Sequence, residues 1–154
     1  MSVEEKLAAL GLSLPQPVEP MANYVTAVLD GPMIYTAGAG PMVEGKPRYI
    51  GRVGAEVSLE QGYEAARITA LNLLSTIKSR IGDLDRVERI IKVLGFVNSD
   101  PDFHRQPEVI NGASDLFVEL FGERGKHARS AVGTSNLPMN IPVEIEMIVR
   151  FKAD

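Results

Sequence analysis

The stretch Val143-Glu144-Ile145-Glu146-Met147-Ile148-Val149-Arg150-Phe151 constrains the fold more than any other part of the chain. Val143, Ile145, Met147, Val149 and Phe151 fall on one face, and Glu144, Glu146, Arg150 and Lys152 on the other. A period of two is the signature of a strand with one buried side. Such a strand needs a sheet around it and an apolar layer above it. Just upstream, His127-Ala128-Arg129-Ser130-Ala131-Val132-Gly133 reads as a second strand, connected to the first through Asn136-Leu137-Pro138. The two strands carry a fixed cation and carboxylates. A guanidinium offers parallel donors to a carboxylate and stays charged at any working pH, and a carboxylate can orient or deprotonate water. The pattern suggests a site for a small organic acid with water chemistry beside it.

The preceding chain supplies the rest of an α+β domain. Glu4 to Leu10 reads as a short helix stopped by Gly11, and the prolines of Leu14 to Pro20 force an extended lead-in. Residues 1–20 thus form a prefix to a core of 21–154, within one domain. Asn23 to Leu29 is rich in strand formers, Asp30-Gly31 is a hairpin turn, and Met33 to Thr36 is the return strand. After the small residues Ala37-Gly38-Ala39-Gly40, a turn at Val43 to Pro47 leads to a third strand, Arg48 to Val53. Ser58 with Gln61 forms a capping box for a helix whose apolar stripe runs from Tyr63 to Ile81, ending at Gly82. Val87 to Val97 is apolar enough for a strand buried on both faces. Pro107 opens a second long helix with a stripe of Val109, Ala113, Leu116, Phe117 and Leu120, closed by Gly122. Two helices cover one face of such a sheet, and the other face is left over.

Composition narrows the function classes. A net charge of −4 without a long Lys/Arg cluster argues against nucleic acid as the main partner. With no cysteine, the chain can form neither disulfides nor thiolate metal sites, and two histidines are too few for a structural zinc site. No apolar run approaches the roughly 20 residues needed to span a bilayer. The acidic Met1 to Lys6 segment is unlike a secretory leader, so a cytoplasmic location is expected. Neither a phosphate-binding loop nor a dinucleotide fingerprint is present.

The run from Arg129 to Glu144 resembles the signature of the Rid family, the reactive intermediate deaminases, also called YjgF-like or L-PSP endoribonuclease-like proteins. Arg129-Ser130-Ala131-Val132, Leu137-Pro138 and Val143-Glu144-Ile145-Glu146 keep the order of that signature. The resemblance extends from about Tyr24 onward, and the prefix is similar to one in the longer branch of the family. It implies a chorismate-mutase-like fold, a mixed sheet with two main helices on one face, and a homotrimer with sites in the clefts between subunits. It also implies hydrolysis of reactive 2-imino or enamine acids to 2-oxo acids and ammonia, with no metal or organic cofactor.

Read from the residues alone, Arg129 fits a surface or interface ion pair with Glu144 or Glu146 better than a ligand site. The resemblance implies instead that Arg129 binds the substrate carboxylate and Glu144 orients the attacking water. Tyr24 matches a tyrosine that closes the pocket, Asn111 an asparagine lining the cleft, and Gly38 a position of close backbone approach. His127 lies two residues before Arg129 and is a candidate for acid–base work. One departure stands out: Ala37 precedes Gly38 where many imine-hydrolysing relatives carry a hydroxyl residue. That leaves open a non-catalytic trimer that binds or senses a small carboxylate, with ribonuclease activity as a weaker alternative.

Overall fold

The computed structural model describes residues 1–20 and 22–153, so Met21, where the core was expected to begin, and Asp154 lie outside the described residues. The alternating segment forms β7 (Val143–Phe151), the central strand of a five-stranded sheet. On one side it pairs antiparallel with β2 (Met33–Thr36), which forms a hairpin with β1 (Ala27–Asp30). Asp30 pairs with Met33, so Gly31 and Pro32 make the loop, and Gly31 takes the positive φ of +59° that this tight reversal requires. On its other side β7 pairs antiparallel with β5 (Val87–Asn98). The edge strand is β6 (Ala128–Thr134), parallel to β5. Strands β6 and β7 are thus consecutive in sequence but separated in the sheet by β5.

Two helices cover one face. The Ser58–Gln61 capping box forms at the start of α2 (Leu59–Ile81), and Gly82 ends the helix with φ +87°. The other helix is α3 (Gln106–Phe121), with proline in its first turn. Leu73, Leu74 and Ile77 of α2, Ile110, Leu116 and Phe117 of α3, and Ile34, Val93 and Ile145 of the sheet are all fully buried. Each such side chain contributes about 1.5–3 kcal/mol relative to exposure. The helices approach closely at Gly112, where an added Cβ would lie 1.9 Å from the Tyr63 carbonyl oxygen. Gly95 of β5 likewise makes room for Ile110, whose side chain would be 2.7 Å from a Cβ there.

The prefix docks on this core. In α1 (Val3–Ala9), Val3 and Leu7 are buried, Lys6 donates to the Leu120 carbonyl at 3.2 Å, and Glu4 pairs with Lys78. The lead-in crosses α2, where the Ser75 hydroxyl donates to the Pro15 carbonyl. Arg80 similarly donates to the Ala27 carbonyl. Among the described residues no helix is long and apolar enough to cross a membrane.

Three expectations need correction. The first strand begins at Ala27, not Asn23; the preceding residues turn, with Tyr24 N–H bonded to the Ala22 carbonyl. The third strand expected over Arg48 to Val53 does not form. A small hairpin of β3 (Met42–Val43) and β4 (Lys46–Pro47) takes its place, and the following chain is irregular because Gly51 adopts φ +126° and Val53 makes only isolated bridges. Finally, β5 is buried on one face only. Register shifts near Arg89 and Lys92 break its alternation, and Leu94 and Phe96 stay half-buried on the face away from the helices.

That open face also carries Val28, Tyr35, Val132 and Ile148 among Lys92, Glu144, Glu146 and Arg150. Replacing Gly112 by alanine should force α2 and α3 apart, because the clash is with backbone rather than a movable side chain. A loss of about 1–3 kcal/mol or more is expected in urea unfolding. Unchanged stability would contradict this helix contact.

Candidate active site

The structure divides the candidate residues into two groups. Arg129, on the edge strand, faces α3. Its Nη1 donates to Asn111 Oδ1 at 2.8 Å and to Ser114 Oγ at 3.1 Å. These bonds occupy both hydrogens of Nη1, and Nη2 and Nε have no partner among the described residues. Those groups form a parallel fork suited to a carboxylate. His127 stands behind them, its Nε2 2.9 Å from Ser114 Oγ and its Nδ1 2.7 Å from the Gly125 carbonyl oxygen. Burial, followed by the nearby Arg129 and Arg89 charges, holds its pKa below the usual histidine value, although the Gly125 hydrogen bond works the other way.

The second group surrounds Glu144. Its carboxylate lies against Gly38, where an added Cβ would be 2.5 Å from Oε2. Any side chain there would displace the carboxylate, so glycine sets its position. The Glu144 carboxylate makes no hydrogen bond or ion pair among the described residues. Burial, with a further contribution from Glu146, raises its pKa above the ordinary carboxylate range. It borders a cavity of about 240 Å³ whose walls include Tyr24, Ala37, Gly38, Leu73, Met139 and Ile141. Asn72 ties the Gly38 segment to α2 by donating to the carbonyls of Gly40 and Met42 at 3.1 and 3.0 Å. Val18 brings the N-terminal lead-in to the same cavity.

Strand register keeps the groups apart. Arg129 and Met147 are both in register with Val93, which places Arg129 on the helix-covered face. Glu144 is three residues from Met147 and therefore points to the opposite face. Two strand spacings and three residues of rise separate the Cα atoms of Arg129 and Glu144 by roughly 14 Å. Within the described chain no ion pair links Arg129 to Glu144 or Glu146. Tyr24, Gly38 and Glu144 gather at one place, and Asn111, His127 and Arg129 at another.

Sequence reasoning missed Ser114 and Val18. Ser114 had a detectable signal, since it lies three residues after Asn111 on the same helix face. Val18 had none, because an irregular lead-in does not reveal where it docks. A more open hollow of about 390 Å³, lined by Arg52, Asp100, His104 and Thr134 among others, contains none of the sequence-selected candidates. No cluster of three or more His, Asp or Glu side chains among the described residues is placed to hold a metal ion.

Comparison with known proteins agrees with this architecture. Residues 4–150 match the family described as "YjgF/chorismate_mutase-like, putative endoribonuclease". The chain is 41% identical over 148 residues to protein TCP17 of Trypanosoma cruzi, covering 96% of this chain and 92% of that protein. It is similar to the crystal structure of the Agrobacterium tumefaciens protein Atu1372, with a TM-score of 0.91 and 41% identity over 98% of this chain and 92% of that one. For a Shewanella oneidensis structure described as a "putative endoribonuclease", the TM-score is 0.95 at 31% identity, covering 98% and 100% of the two chains. The mixed sheet and paired helices are thus a YjgF-like α+β fold. The chain belongs to the YjgF/chorismate-mutase-like family.

The Glu144 environment has a measurable consequence. A carboxyl whose folded pKa is raised stabilises fully below its unfolded value and loses that contribution as pH rises through the folded value. Glu144→Gln removes the ionisation, so its melting temperature relative to wild type should be higher at pH 8 than at pH 4, by about a degree or two. An identical difference at both pH values would contradict a disfavoured charge at Glu144.

Proposed function

We propose that this protein is a cytoplasmic hydrolase of reactive 2-imino and enamine acids, working as a homotrimer with sites between subunits. One observation carries the reading: the described chain presents a free guanidinium fork on one face and an unpaired carboxylate beside a cavity on the other. Each is half of the site, and neither can reach the other within one subunit. The open sheet face supports assembly, since Val28, Tyr35 and Val132 are 52%, 42% and 43% exposed there. Exposed apolar patches of this kind suit an interface between copies.

In this reading Arg129, held by Asn111, receives the substrate carboxylate through Nε and Nη2. Glu144 of a neighbouring copy takes a proton from water as the oxygen attacks the C=N carbon. Glu144 returns that proton to nitrogen, giving a carbinolamine. It then passes the hydroxyl proton to the same nitrogen as the C–N bond breaks and C=O forms, so that ammonia leaves a 2-oxo acid. A carboxyl with a raised pKa is well matched to taking and returning that proton. Imines hydrolyse readily, so positioning and one general base suffice. No metal or organic cofactor takes part. Leu73, Met139 and Ile141 favour an apolar substrate side chain.

Ala37 supports a second reading. It lines the Glu144 cavity without a hydroxyl, while the Thr36 hydroxyl already accepts a hydrogen bond from Met147 N–H at 2.9 Å. With no hydroxyl beside Gly38, a non-catalytic carboxylate-binding trimer is the alternative. A coupled assay that generates iminobutyrate and follows ammonia release separates the two. We expect wild type to accelerate release and folded Arg129→Ala to lose on the order of a hundredfold. Full activity in Arg129→Ala would overturn the role of Arg129. Stabilisation by 2-oxobutyrate without faster imine decay would favour the binding protein.

A further inference from the structure

We propose that His127 is a positioning residue for Arg129, acting through the Ser114 hydroxyl; this rests on Arg129 being the carboxylate-binding group. The hydrogens in this chain can be placed by elimination. A guanidinium only donates, so Ser114 Oγ accepts from Arg129 Nη1 across 3.1 Å. The Gly125 carbonyl only accepts, so His127 Nδ1 carries a hydrogen and donates it across 2.7 Å. In the neutral ring Nε2 is then an acceptor, and the Ser114 O–H donates to it across 2.9 Å. Each hydrogen has one acceptor. The order Arg129 to Ser114 to His127 to Gly125 has a single direction.

The far end of this chain is anchored by packing. At Gly125 an added Cβ would lie 2.3 Å from the Phe117 carbonyl oxygen, so glycine lets the backbone press against α3. The His127 ring meets Phe117 edge-on, with centroids 5.9 Å apart and planes at 82°. The imidazole is therefore fixed by the Phe117 ring and by the bond at Nδ1. The charged groups facing it are Arg129 from β6 and Arg89 from β5, both cations. They favour the neutral ring that the hydrogen-bond order requires. Both ring nitrogens are engaged inside the protein, so His127 supports the guanidinium and does not contact substrate itself.

Without an acceptor at His127 the Ser114 hydroxyl can rotate, and Arg129 Nη1 loses a fixed partner. The free fork then samples more orientations before it binds. Because this fork serves binding, the effect falls on KM and on the Kd of a carboxylate probe, with kcat changed less. His127→Phe preserves a ring against Phe117 but removes the acceptor. His127→Gln restores an acceptor for Ser114, and Ser114→Ala cuts the link with a smaller change in packing.

The test measures 2-oxobutyrate binding by calorimetry and imine hydrolysis in the assembled full-length protein. His127→Phe and Ser114→Ala are each expected to weaken binding about fivefold, with no further loss when combined, and His127→Gln to recover most of it. If His127→Phe does not fold, Ser114→Ala and the His127 ring ¹⁵N shifts decide. Neutral Nδ1–H in wild type, with a changed Nε2 shift in Ser114→Ala, supports the hydrogen-bond order. Unchanged affinity in Ser114→Ala, or an Nε2–H ring in wild type, overturns it. Arg129→Ala is the control: unchanged 2-oxobutyrate binding there defeats the site reading itself. Binding lost in Arg129→Ala but unaltered in the other variants defeats only the positioning role.

Discussion

A strand gives each residue one of two faces, and β5 holds its neighbours in a register that gives Arg129 and Glu144 opposite ones. The functional reading depends on this parity. A buried cation beside a carboxylate of its own chain would neutralise it and leave nothing for a ligand. Here the guanidinium is held by neutral oxygens from Asn111 and Ser114, which fix its direction without consuming its charge. Glu144 is left without an opposite charge, in surroundings that make ionisation unfavourable. Opposite faces keep the two charges from neutralising each other within the described chain.

Close backbone approach supplies much of the precision. Gly112 brings α3 against α2, which fixes how α3 presents Asn111 and Ser114 to the edge strand. Gly125 places the chain before β6 against the same helix, and Gly38 lets the Glu144 carboxylate settle beside β2. These glycines serve packing, since none of the three is among those with positive φ. A methyl group at the first two would meet backbone oxygen, and at the third a side chain able to swing away. The first two therefore act on stability and the third on the site.

Much of this was legible in the sequence, and what was hidden has physical causes. The period of β7, the Ser58–Gln61 capping box, Pro107 and the Gly82 and Gly122 stops are local signals, and local hydrogen bonding decides them. The Arg129 to Glu144 spacing singled out two candidate groups but not their faces. Strand alternation cannot be carried through a connection such as Asn136 to Pro142, and the insertion of β5 between β6 and β7 is a tertiary choice. The false strand at Arg48 to Val53 had apolar residues but no partner edge. The apparent two-sided burial of β5 came from counting Leu94 and Phe96 as core, whereas they lie on the open face. Gly112 carries no local signal, because close approach between helices leaves no mark on a single helix.

The most direct test of the shared site is complementation between two inactive variants. Arg129→Ala and Glu144→Gln would be unfolded together, refolded at equal concentration, and assayed for ammonia release from iminobutyrate. If each site takes its guanidinium from one subunit and its carboxylate from another, random assembly restores about a quarter of wild-type activity. If the mixture forms hetero-oligomers and stays as inactive as its parents, the two groups do not meet across subunits, and the account fails.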